Sequence, residues 1–138
     1  MLVGSCLAGI SFLKGLGFVH AISHMVGAEF DTQHGLTNAI VLPSVLKYNR
    51  HVMDKKIPIM SEAMGLKKND FEYFYNSICN LLDQLEIPKN LKEISVEESS
   101  VERLAEKALK DSAFATNPRT ASLEEMVDLI NISMNKGR

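Results

Sequence analysis

Three histidines crowd one short stretch of this sequence, residues 15–43, GLGFVHAISHMVGAEFDTQHGLTNAIVLP: they are His20, His24 and His34. Neutral imidazole is a common metal ligand, and near neutral pH it is also a proton donor or acceptor. His20 and His24 stand four residues apart, which on a helix sets them on one face with Cβ atoms about 5–6 Å apart. His34, just before Gly35, can bring a third ring to that face from the next segment of chain. The residues alone leave two readings open: imidazoles converging on one cation, or a partly buried structural pair. No cysteine lies nearby, and the nearest carboxylates are Glu29 and Asp31, so this segment does not by itself assure a closed four-ligand zinc site. A self-contained three-histidine zinc site is the further alternative. It needs His20, His24 and His34 all to reach one ion at about 2.0–2.1 Å.

The elements that must position these rings read as helices. A helix is expected from about Leu16 to Ala28, bearing His20 and His24, then a polar loop over 29–33. A second helix from about Leu36 to Tyr48 contains Pro43, which predicts a kink or break there. A short helix is expected from Asp54 to Gly65, with Ile59, Met60, Ala63 and Met64 inward. Phe71, Phe74, Tyr75, Ile78, Leu82 and Leu85 recur at helical spacing after Asn69-Asp70, and Pro88 ends that run. Ser99 with Glu102, and Ser122 with Glu125, have the spacing of capping boxes for two more helices. Residues from Asn131 to Arg138 are expected to fray. With no convincing alternating strand, the fold class is all-α, a multi-helix domain over 1–138.

Composition bounds the partners. At 138 residues, 46% hydrophobic and 23% charged, the chain has the make-up of an ordinary globular domain with one core. A formal net charge of −2 gives no general pull toward nucleic acid or an anionic membrane, so neither is expected as a partner. Cys6 and Cys79 lie far apart and outside any CxxC pattern, and read as buried free thiols in a reducing, cytoplasmic compartment. The apolar run Met1 to Phe12 lacks a preceding positive charge, and Lys14 interrupts it before the roughly 20 residues a span needs. It is read as a core helix parted from an upstream neighbour, with Leu2 to Leu13 driving self-association into a homo-oligomer.

The motif Gly15-Leu16-Gly17-x-x-His20-x-x-x-His24-x-x-Gly27, followed by His34-Gly35-Leu36-x-Asn38-Ala39-x-x-Leu42-Pro43, resembles that of the iron-containing (group III) alcohol dehydrogenases. Ile87-Pro88-x-x-Leu91 and Thr116-Asn117-Pro118-Arg119 resemble later segments of the same family in order and spacing, so the likeness covers nearly the whole chain. It implies the helical C-terminal domain of the dehydroquinate synthase-like fold, a fragment without the nucleotide-binding domain. It also implies that His20 and His34 are ligands to a catalytic iron(II) or zinc. His24 takes the place of the non-ligating histidine near the nicotinamide and substrate, giving it a catalytic, proton-transferring and cofactor-binding role. The implied activity is oxidation of short primary alcohols or diols by NAD or NADP, or reduction of the aldehydes, with the metal acting as a Lewis acid.

Departures from the family pattern bear on the same site. The family's remaining ligands, an aspartate and a histidine, belong to a segment preceding this one, and no GxGxxG or P-loop pattern occurs here. Met25 and Thr32-Gln33 are unusual beside the histidines and leave the substrate open. The isolated chain is therefore expected to be inactive and to hold metal weakly. Alternatives are a hydroxy-acid dehydrogenase of the same superfamily, or a helical interaction module without catalysis.

Overall fold

The computed structural model describes residues 2–138, and every regular element among them is helical. Seven α-helices follow in order: α1 (Leu2–Ser11), α2 (Gly17–Phe30), α3 (His34–Met53), α4 (Ile57–Ala63), α5 (Phe71–Gln84), α6 (Val101–Ala108) and α7 (Leu123–Asn135). Short 3₁₀ turns at Phe12–Lys14, Leu91–Ile94, Glu98–Ser100 and Phe114–Thr116 join them. Helix α2 is the centre, packed on α3 and α6, while α7 closes the layer against α3 and α6. Its buried face is Phe18, Ala21, Ile22 and Val26, all fully inaccessible, at the 1, 4, 5, 9 spacing of one helical face. A second, smaller cluster of Leu46, Ile57, Phe71, Phe74, Tyr75 and Cys79 ties α4 and α5 to the far half of α3.

Helix α3 continues through Pro43 from His34 to Met53, so the proline does not break it. Proline inside a helix costs about 3 kcal/mol. On either side of it Ile40, Val41 and Val45 are buried to within 3% of full inaccessibility. Burying each such side chain contributes about 1.5–3 kcal/mol, so packing outweighs the local defect. The polar loop before α3 is also shorter than expected, only Asp31 to Gln33, because α2 continues to Phe30. Asp31 ends α2 with φ +51°, its N–H donating to the Gly27 carbonyl at 3.0 Å. Gln33 then caps α3 through its side chain, which accepts from the Leu36 N–H. The rings of His24 and His34 are thus carried by helices joined through a tight turn.

Other expectations are corrected by burial. Helix α1 forms but buries nothing: Leu2, Leu7 and Ile10 are 88%, 62% and 57% exposed, and Cys6 is exposed as well. Gly15, at φ +94°, turns the chain by 98° between the segments 2–14 and 17–30, so α1 leaves the body of the fold rather than entering its core. In α4 it is Ile57, not Ile59, that is buried, Ala63 and Met64 are exposed, and only Met60 is partly inward. Leu85 is exposed too, since α5 ends one residue before it. The Ser122–Glu125 capping box is present, but Ser99 bonds Glu97 instead and α6 starts from a 3₁₀ turn. The C-terminus does not fray. Helix α7 buries Ile130 and Met134, and the Arg138 guanidinium donates to Asp83 at 2.9 Å and to the Pro88 carbonyl at 3.1 Å. Among the described residues no single helix is long and apolar enough to cross a membrane.

Candidate metal and proton-transfer site

Helix α2 has no side-chain cap of its own at Leu16. The N–H groups at its start are satisfied from the loop a hundred residues further on. Thr116 Oγ1 accepts from Leu16 N at 3.1 Å and Gly17 N at 3.3 Å, and Asn117 Oδ1 accepts from Phe18 N at 3.2 Å. These are groups that a helix end leaves without partners. Asn117 also exchanges two hydrogen bonds with Asn49 of α3, at 3.0 and 2.9 Å, so one side chain locks the register of α2 against α3. Gly15 sits so close to Thr116 that a Cβ there would collide with it. Arg119 stacks its guanidinium 3.9 Å from the Tyr48 ring centre and pairs with Glu125 at 2.6 Å, which ties the same loop to α7. The Thr116–Arg119 segment, one of those that resemble the family in sequence, is the clamp on the histidine helix.

The clamp brings the three histidines together. Ring centroids lie 5.7 Å apart for His20 and His24, 5.2 Å for His20 and His34, and 5.5 Å for His24 and His34. The Nε2 atoms of His20 and His34 meet the same group: Asn38 Nδ2 lies 3.3 Å from the first and 3.0 Å from the second. The Nδ1 of His20 and the Oδ1 of Asn38 are buried without a partner. Burial holds the His20 imidazole below its ordinary pKa, and the neighbouring His34 and His24 push the same way against the Leu16 carbonyl and Asp111. Burial therefore favours the neutral form of this ring.

His24 points elsewhere. Its Nδ1 lies 3.1 Å from Asp111 Oδ2, and the other Asp111 oxygen accepts from the Ala113 N–H at 2.8 Å. Among the described residues no three His, Cys, Asp or Glu side chains are arranged to hold a metal ion. The three-histidine zinc site is thereby removed. Phe12 and Phe18 part company: Phe12 meets the His20 ring in a T-shaped contact with centroids 5.9 Å apart and stays 58% exposed. Phe18 is wholly buried, stacked on Phe114 at 4.9 Å. His51 is exposed and takes no part.

Residues 1–134 match the Fe-containing alcohol dehydrogenase family, C-terminal. The chain belongs to this family. It is 38% identical over 130 residues to the probable alcohol dehydrogenase EutG of Escherichia coli, covering 94% of this chain and 33% of that protein. It is 35% identical over 136 residues to lactaldehyde reductase of the same organism, covering 94% of this chain and 36% of the relative. A crystal structure of 1,3-propanediol oxidoreductase superposes with a TM-score of 0.79 at 33% identity, over 86% of this chain and 33% of that one. The chain thus spans about a third of the length of the relatives it matches, and its all-helical architecture is that of the family's C-terminal domain.

Two residues of this site were not singled out in the sequence. Asn38 lies in the motif one turn after His34, and its i, i+4 spacing was the available signal. Asp111 carries no such signal, being 87 positions from the histidine it meets.

Proposed function

We propose that this chain is the metal-holding helical part of an NAD(P)-linked alcohol dehydrogenase that interconverts short primary alcohols or diols and their aldehydes. His20 and His34 are two of the protein ligands to a divalent iron or zinc ion, and the remaining ligands come from outside this chain. One observation carries the reading: the Nε2 atoms of His20 and His34 lie 3.3 and 3.0 Å from one amide nitrogen. Two lone pairs directed at a common point are half of a coordination sphere, and imidazole nitrogen suits both cations. A ring held neutral by burial, as His20 is, meets the requirement that a ligating histidine be deprotonated at one nitrogen.

A bound divalent cation supplies Lewis acidity toward the alcohol or aldehyde oxygen. His24 handles the proton. Asp111 engages its Nδ1, which orients the ring and leaves Nε2 to take up or return the hydroxyl proton. The half-exposed ring of Phe12 beside His20 offers an apolar wall that suits a short carbon chain. The nucleotide, NAD or NADP, is held mainly by residues outside this chain, with His24 on its nicotinamide side. No nucleic acid or membrane partner is invoked. On its own the chain associates with further copies through the apolar face of α1.

The test is to substitute this chain for the matching third of lactaldehyde reductase and to measure bound metal together with alcohol-dependent NAD(P)H formation. His20→Ala and His34→Ala are expected to lose both metal and turnover. His24→Ala keeps the metal and loses about 10²–10⁴-fold in turnover. Full metal occupancy in both of the first two variants overturns the assignment.

A further inference from the structure

Asn38 occupies the space between two lone pairs, and its own chemistry decides which nitrogens those rings can leave unprotonated. A carboxamide nitrogen carries two N–H donors and accepts nothing, while the carboxamide oxygen only accepts. With Nδ2 at 3.3 Å from His20 Nε2 and 3.0 Å from His34 Nε2, each of its two hydrogens has one ring nitrogen to reach. Both Nε2 atoms must then be acceptors, and both rings must carry their proton on Nδ1. On its other side the Nδ1 of His20 is buried with no partner, so Asn38 is the group that bears on that ring's tautomer. The buried, unpartnered Oδ1 of Asn38 shows that the amide is not turned this way to satisfy its own oxygen.

We propose that Asn38 is a positioning residue that fixes His20 and His34 as Nδ1–H tautomers, its NH₂ group standing in for a cation between the two Nε2 lone pairs. Its purpose rests on the reading of His20 and His34 as metal ligands. The tautomers themselves do not depend on it. The amide holds the two Nε2 lone pairs converged before any ion arrives. Orienting partners of this kind typically contribute 10–100-fold to metal affinity.

The experiment is a two-dimensional long-range ¹H–¹⁵N correlation of the imidazole nitrogens in the metal-free chain. It is run at about pH 8, above the ordinary histidine pKa near 6.5. Variants His20→Gln and His34→Gln assign the signals. Wild type is expected to show both rings with pyridine-type, unprotonated Nε2. Asn38→Asp replaces the donor by an acceptor and is expected to move the Nε2 atoms to the protonated, pyrrole-type position. Asn38→Ala is expected to give tautomer mixtures at both rings. Wild-type rings protonated on Nε2 overturn the proposal without need of any variant that must fold. So does an unchanged spectrum in Asn38→Asp.

The second arm is titration with zinc of the metal-binding chimera described above, where Asn38→Ala is expected to weaken affinity about 10–100-fold. Correct tautomers with zinc affinity indifferent to His20→Ala and His34→Ala mean that the ligand assignment has failed while the role of Asn38 in setting the tautomers stands. Affinity that depends on both histidines but not on Asn38 overturns the positioning role.

Discussion

Asp111 Oδ2 lies 3.1 Å from His24 Nδ1, across 87 residues of sequence, while its other oxygen is fixed by the Ala113 N–H. The aspartate stands on the turn after α6 and its side chain is only 13% exposed, so it is a rigid anchor rather than a surface charge. Its partner ring is in turn stacked on His34, with planes 18° apart. Removing the anchor should therefore act on the proton-handling ring and leave the other two rings in place. Asp111→Ala in the chimeric enzyme is expected to lower turnover about tenfold to a hundredfold, within the range general acid–base groups supply, with metal content unchanged. Metal analysis beside steady-state kinetics separates this from a collapse of the site, in which both would fall together.

Asn117 joins three segments, and its removal should be felt as stability. Asn117→Ala strands the Phe18 N–H and both polar groups of Asn49, a residue that is 6% exposed. Stranded buried polar groups cost about 1–3 kcal/mol each, so a total loss of ~3 kcal/mol is expected. Urea denaturation should show a lower midpoint with an unchanged slope. A midpoint within error of wild type would mean that water replaces these bonds at no cost.

The acid limb of the stability profile should carry the mark of Glu29. Hydrogen bonds from Arg103, and then from Lys107, hold its carboxyl at about 2, below its ordinary value of 4.5. A depressed folded-state pKa means that the unfolded chain binds the extra proton first. Stability from this group is therefore complete above about pH 4.5 and is lost as pH falls toward about 2. Arg103 and Lys107 are half-exposed, so salt should weaken the effect. Glu29→Gln is expected to flatten the profile between those two pH values, read from urea midpoints in low salt.

The last residues of the chain are predicted to matter. Arg138 has a side chain only 3% exposed and donates to Asp83, to the Pro88 carbonyl and to the Ile87 carbonyl. Gly137, at φ +52°, lies so close to the Lys89 carbonyl that a Cβ there would collide with it. Arg138→Ala is expected to cost about 1.5–3 kcal/mol, the usual range for hydrogen bonds to a charged group. Gly137→Ala should also destabilise, through both the clash and the left-handed backbone. Thermal melts of the two variants against wild type decide it.

Helix α1 and the turn that follows it present Leu2, Val3, Leu7, Ile10, Phe12 and Leu13 to solvent, each more than half exposed. A contiguous apolar face of that size promotes association. Light scattering of the chain should show a mass that rises with concentration, and Leu7→Glu with Ile10→Glu should return it to a monomer. A monomeric wild type at high concentration would count against self-association through α1.

What the sequence by itself determined was local and periodic. The histidine spacing, the Phe71–Leu82 stripe, the Asp70 cap and the Ser122–Glu125 box all act within a turn or two of helix. Residue types at fixed offsets suffice to specify them. The motif around His20 and His34 was long enough to carry the family with it. Tertiary structure alone decided three further things. It carried α3 through Pro43, because buried neighbours outweigh one missing hydrogen bond. It left α1 outside the core, because an apolar segment states what it avoids but not what it meets. It brought Asp111 to His24 and Asn117 to Phe18, because a single polar side chain reaching across the fold leaves no period to read.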